Sequence, residues 1–310
     1  MAVAVRARFI NARQRPAGDV TLSQRGPMSL TRAFEVNEVA SDLRPIYEET
    51  RTALDLPFVP TIIKVAAGNP KYLREMWEDL YEVAASREFH AAADVLTQFV
   101  NSRVIGTNWQ FSNQERALAA QKFSPSDARM MAGVAATFQR ALPRLALFAR
   151  LMQRGYSGGQ SGRVSARRAA SPFARMITLH VPNESEASLR TWMTYSEIKR
   201  TTGAKQVPSL FRALSPFPGY LASVWVDTRK LFADRDFIRA RDEVSRRSLA
   251  LLHGLPVGDH REALDDLTPA QWNEIEQMVD SDSRLLPQFA LGAAVWRRSF
   301  ASEQNQLMAG

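Results

Sequence analysis

The residues of this chain that suit chemistry are few, and they come in pairs. Thr61 and Ser209 each follow a proline and each precede a basic residue by three positions, in Val59-Pro60-Thr61-Ile62-Ile63-Lys64 and Val207-Pro208-Ser209-Leu210-Phe211-Arg212. A hydroxyl just inside a helix start, with a cation one turn on, suits a carboxylate or other anion: the hydroxyl and the free amides donate, and the cation supplies charge. A plainer role is open for each. The hydroxyls can serve as ordinary caps, and Lys64 and Arg212 as solvated helix faces. Glu49 and Glu197 form a second recurring pair. They are candidates for acid–base work facing a cleft, or for pairing with neighbours such as Arg51, Lys199 and Arg200.

Other chemistries find little support. The chain has no cysteine, which removes disulfides, thiolate nucleophiles and sulfur metal ligands. Its four histidines, His90, His180, His253 and His260, fall at no metal-ligand spacing, so no metal site is expected. His253 and His260 flank a loop and are expected to be exposed. No phosphate-cradling glycine motif follows a strand, and no nucleophile elbow is present. No cofactor is expected.

The elements that must position these groups are themselves duplicated. Phe217-Pro218-Gly219-Tyr220-Leu221 and Trp225 follow Ser209 as Asn69-Pro70-Lys71-Tyr72-Leu73 and Trp77 follow Thr61. The offset is 148 (208 − 60 and 225 − 77), and it holds without a gap from Tyr47/Tyr195 to Gly106/Gly254. Apolar residues at three- and four-residue spacing predict a helix from about residue 36 through Leu54, a short one after Pro60, one from Pro70, and a longer one from Phe89 to Ile105 that Gly106 ends. Ser124-Pro125-Ser126-Asp127 and Thr268-Pro269-Ala270-Gln271 repeat a helix-start signature at an offset of 144 (268 − 124). Pro143 and Pro287 lie inside the helical pattern that follows and are expected to kink or restart it. Trp77 and Trp225 read as core anchors. Asp79 with Arg87, and Asp227 with Arg235, read as structural ion pairs.

The fold class is therefore all-α, as two tandem helical repeats packed as an intrachain pseudo-dimer with a ligand cleft between them. The expected divisions are a flexible basic leader over 1–30, repeat one over 36–153, a Gly/Ser/Arg-rich linker over 154–185, repeat two over 186–302 and a tail over 303–310. An arginine-bearing, acid-poor start also suits an organelle transit segment. A short strand at 177–181 is the one departure from helix. The net charge of +8 resides largely in the leader and linker, so a nucleic-acid partner is not expected. No apolar run is long enough to span a bilayer, and a cytoplasmic setting is expected. A fused pair of repeats serves equally as a monomer or as a homodimer.

The doubled pattern resembles the group I α-haloacid dehalogenases, all-helical enzymes acting on D- and L-2-haloacids. Tyr47-Glu48-Glu49-Thr50-Arg51, Leu56-Pro57-Phe58-Val59 and Pro70-Lys71-Tyr72-Leu73 carry the resemblance in the first half. Phe211-Arg212-Ala213-Leu214, Pro218-Gly219-Tyr220-Leu221 and Leu251-Leu252-His253-Gly254-Leu255-Pro256 carry it in the second. The resemblance implies an active site between the repeats, where an aspartate beside a serine activates water that displaces halide without a covalent ester. Ser209 matches the serine, but Leu210 stands at the aspartate's position. Leu142 and Leu145 stand where the family has an asparagine and a tyrosine, and Phe58 keeps part of an aromatic wall whose partner is here Thr61. The expected site has catalytic candidates Ser209, Thr61, Glu49 and Glu197, with Phe58, Leu210, Leu142, Leu145, Lys64 and Arg212 around the substrate. Three readings are open: an enzyme of altered chemistry (a lyase or isomerase step) on a small or lipophilic organic acid, a true hydrolytic dehalogenase using another acid, and a non-catalytic binder of a hydrophobic ligand.

Overall fold

A computed structural model describes residues 32–159, 179–257, 259, 261–265 and 267–307. The leader and most of the linker lie outside the described residues, as does His260. The described residues contain no strand, and Leu179 to Val181 are not extended into one. In chain order the helices are α1 (Arg44–Ala53), α2 (Thr61–Ala66), α3 (Pro70–Ala84), α4 (Arg87–Val104), α5 (Gln114–Ala119), α6 (Pro125–Tyr156), α7 (Leu189–Thr202), α8 (Ser209–Arg212), α9 (Pro218–Ala233), α10 (Arg235–Leu252) and α11 (Pro269–Leu307). The first starts later than the sequence pattern suggests, after a 3-10 turn at Ser41–Leu43. Helix α5 was not foreseen; Asn113 caps it by accepting the Arg116 amide at 2.7 Å.

Starts recur at the offsets read from the sequence. Helices α2 and α8, α3 and α9, and α4 and α10 begin 148 residues apart, and α6 and α11 begin 144 apart. Local chemistry accounts for these boundaries. Asn69 accepts the Tyr72 amide at 3.2 Å, and Pro70 takes the first turn, where its missing N–H is not needed. The Ser124 hydroxyl accepts the Asp127 amide at 3.3 Å while Asp127 accepts the Ser124 amide at 2.9 Å. Thr268 and Gln271 make the same reciprocal pair at 3.3 and 2.9 Å. Gly106, at φ +77°, follows α4 in the left-handed conformation that glycine tolerates best. Of the two expected outcomes at Pro143 and Pro287, a restart does not occur: both lie inside continuous helices. Both are buried, and side-chain packing along the two longest helices outweighs one lost backbone bond.

Helices α6 and α11 pack along each other more extensively than any other pair, and α4 and α10 pack on both and on one another. Shorter helices flank this four-helix centre: α1 and α2 lie against α3, and α7 lies against α9. The connection after α4 reaches into the second half. Ser112 donates its amide to Asp227 at 2.8 Å, the Trp109 indole donates to Asp234 at 3.2 Å, and the Tyr220 hydroxyl donates to Gln114 at 2.6 Å. Asp227 therefore serves this loop and Lys230, at 3.2 Å, instead of the expected Arg235. Trp77 and Trp225 are buried, as core anchors should be.

Phe138 ties the turn before α2 to α6, since its ring lies 5.4 Å from that of Phe58 and both are buried. Phe138→Ala should lower stability by about 3–5 kcal/mol, as read from urea denaturation. A loss under about 1 kcal/mol would mean that this junction is loosely packed.

Candidate active site between the two halves

The prolines that start α2 and α8 bring the two halves into contact. Pro60 and Pro208 hold extended backbone immediately before each helix, so Thr61 and Ser209 project from the first helical position. Their hydroxyl oxygens lie 3.1 Å apart. Residues at equivalent places in the two halves thus touch each other directly. Behind them the Arg212 guanidinium donates to Thr61 Oγ1 at 2.5 Å and, more distantly, to Ser209 Oγ at 3.5 Å, and it reaches the Pro182 carbonyl at 3.4 Å.

Arg212 is 1% exposed and has no ion pair at bonding distance among the described residues. Burial pulls its pKa down, with Glu184 the leading charge that opposes the shift. Its counterpart Lys64, also buried, differs: its ammonium pairs with Glu35 at 2.6 Å. Burial pulls Lys64 down and Glu35 pushes back. One cation of the equivalent pair is therefore neutralised and the other is spent on hydroxyls. That asymmetry leaves positive potential where Thr61 and Ser209 meet. It also fixes the hydroxyl protons. Each oxygen accepts from the guanidinium and one O–H closes the pair, so the second O–H remains for a ligand acceptor.

Thr61 and Ser209 form part of the wall of a cavity of about 80 Å³, room for several waters or an acid of a few heavy atoms. Leu142, Leu145 and Phe148 contribute an apolar wall from α6, and Ile62 and Val65 another from α2. Exposed Lys205 and half-buried Gln206, on the α7–α8 connection, mark the mouth. The remaining wall is one face of α11, with Glu274, Met278, Asp282, Leu285 and Phe289 at three- to four-residue spacing.

Asp282 is the functional candidate that sequence reasoning missed. It lines the cavity and is half-buried, and its carboxyl makes no hydrogen bond or ion pair among the described residues. Loss of bulk water pushes it up to about 7, with no charged neighbour contributing. The signal was a carboxylate at a core register, four residues after Met278 and three before Leu285, where the apolar stripe should continue.

The predicted residues divide clearly. The structure brings Thr61, Ser209, Leu142 and Leu145 to one cavity and places Arg212 directly behind it. Lys64 is turned to Glu35, and Phe58 stacks on Phe138. Glu49 accepts the Trp77 indole N–H at 2.9 Å, and Glu197 pairs with Arg229, so neither reaches the cavity. Leu210 lies outside it as well, 4% exposed beside Val224, Phe289 and Trp296. One residue step along the helix, about 100°, separates the faces on which Leu210 and Ser209 project. His90 is buried and His253 exposed. The described residues hold no cluster of three potential metal ligands and no helix long and apolar enough to cross a membrane.

Two substitutions test this placement. Leu210→Asp buries an unpaired carboxylate and should cost at least about 2 kcal/mol in urea denaturation; unchanged stability would mean that position 210 opens to solvent. Arg212→Met removes a desolvated charge at similar length, so its melting temperature should equal or exceed that of wild type. A clear drop would mean that the guanidinium holds the halves together.

Comparisons with known proteins agree on one group. Residues 57–210 match the family model described as "Halocarboxylic acid dehydrogenase DehI". An (R)-2-haloacid dehalogenase of Pseudomonas putida is 22% identical over 262 residues, 81% of this chain and 86% of that protein. One of Rhizobium sp. (strain NHG3) is 20% identical over 235 residues, 74% of this chain and 90% of that protein. Among solved structures, a complex of D-2-haloacid dehalogenase with L-LA superposes with TM-score 0.77 at 19% identity, covering 87% of this chain and 96% of that one. A mutant of D-2-haloacid dehalogenase with D-2-CPA gives 0.73 at 19% identity, covering 86% and 95%. The structural likeness carries the all-helical fold.

Proposed function

We propose that this chain is a cytoplasmic, cofactor-free enzyme for a small 2-substituted organic acid, with an active site at the seam of an intrachain pseudo-dimer. The single observation that carries this reading is the Thr61–Ser209 hydroxyl pair, 3.1 Å apart and backed by the buried Arg212, at the wall of a mostly apolar cavity. Contact between equivalent residues is what a pseudo-twofold axis through the cavity produces.

In this reading the substrate carboxylate accepts from the free hydroxyl proton and lies within the field of Arg212. The 2-carbon and its substituent rest among Leu142, Leu145 and Phe148. Apolar walls exclude competing water and strengthen each polar contact inside. The likeness to haloacid dehalogenases supports a 2-halo substituent, displaced by water. The chemistry is altered in one respect: the proton acceptor is not at position 210, because leucine has no basic atom and Leu210 faces the core beside Trp296.

Halide release should occur with a 2-chloropropionate or 2-bromopropionate enantiomer. Ser209→Ala should raise KM about 10-fold or more, the value of one hydrogen bond to a charged group, and weaken binding of lactate by a similar factor. An unchanged KM would place the carboxylate elsewhere. Lactate binding without any halide release would favour a non-catalytic binding protein.

A further inference from the structure

We infer that Asp282 is the catalytic base of this cavity, taking a proton from the water that attacks the substrate's 2-carbon. The inference rests on the reading just given and adds the residue that performs its proton transfer.

Position is the first argument. Asp282 and Glu274 are the carboxylates on the cavity wall, and Glu274, two turns earlier on α11, is already engaged. Asp282 is held from below by Met278 and from above by Leu285 on the same face, with no partner of its own among the described residues. A carboxylate that lines a small apolar cavity and bonds to nothing is unfavourable for folding alone. Its acceptor capacity is available to a bound water.

Charge is the second argument. The titratable groups around the cavity are Lys205 on the α7–α8 connection and Glu274 on α11; α2 and α6 contribute none, and Arg212 lies behind the hydroxyls. Burial alone pushes Asp282 up to about 7. Near neutrality a large fraction therefore carries the base form, and that form is a stronger base than an ordinary carboxylate.

The step balances without a co-reactant. The water oxygen forms a bond to the 2-carbon as the carbon–halogen bond breaks, and the bonding pair leaves on the halide. One water proton passes to Asp282, which later releases it to solvent through the mouth at Lys205. The products are a 2-hydroxy acid, halide and one proton.

The test is halide release from 2-chloropropionate by wild type, Asp282→Asn and Asp282→Glu, with lactate binding measured on each. Folding of Asp282→Asn can be anticipated. A carboxyl near 7 in the fold and near 3.8 outside it is ionised more readily by the unfolded chain, so stability falls as pH rises between those values. Asn removes that fall and should be at least as stable as wild type at about pH 8. Asp282→Asn should bind lactate at least as tightly as wild type and lose about 100-fold or more in kcat, with partial activity in Asp282→Glu. Wild-type kcat should fall as pH drops below about 7, as the Asp282 carboxyl becomes protonated. A kcat within threefold of wild type for Asp282→Asn, or a flat wild-type profile between about pH 5 and 8, would overturn the role of Asp282 while leaving the proposed function intact. Failure of wild type to release halide from either enantiomer would overturn both.

Discussion

One constraint sets the seam between the halves: a buried guanidinium that hydrogen-bonds two hydroxyls, one from each half of the chain, and the Pro182 carbonyl. Removing a charge from water is costly unless its donors are satisfied. Arg212 meets part of that requirement where Thr61 and Ser209 come together and part at the Pro182 carbonyl, while its buried Nε has no partner among the described residues. The two prolines that start α2 and α8 fix the hydroxyls at the first helical position, and the long packing of α6 on α11 fixes the separation of the halves. A shift of an ångström along that seam would leave the guanidinium facing apolar side chains. The seam is thus both the most constrained part of the fold and the place where an anion is most welcome.

Apolar walls give the few polar groups their force. Leu142, Leu145, Phe148 and Ile62 line the cavity with apolar surface, so charge interactions inside it are less screened than at the surface. The same walls hold the Asp282 carboxyl near neutrality in its titration. Acid and base ends of the cavity are therefore set by one cause, desolvation, acting in opposite senses. It lowers the pKa of the arginine and raises that of the aspartate.

Much of this was legible in the residues. Prolines, caps and the constant offset gave the starts of α2, α3, α6 and α11, because those signals are local and each has a mechanical cause. The candidacy of Thr61 and Ser209 for a cleft between the halves came from their equivalence in a doubled pattern, but their direct contact was seen only in the structure. Side-chain direction was not legible to the same degree. Leu210 adjoins Ser209 in sequence, yet one step along a helix turns the side chain by about 100°, from cavity to core. Glu49 and Glu197 recur as a pair, but one answers an indole and the other an arginine, partners that only tertiary packing supplies. Asp282 has no counterpart in the other half, so a search for recurring residues passed over it. The pattern it does break, the apolar stripe of α11, is a quieter signal than a duplication.

The most direct test of the account is the titration of the Asp282 carboxyl carbon, followed by ¹³C NMR in the free protein and with lactate bound. The account predicts a midpoint near 7 in the free protein and a higher one with lactate, because a carboxylate held in the same cavity disfavours a second negative charge. An ordinary carboxylate midpoint, unmoved by lactate, would contradict it: the acid and Asp282 would then not share one site.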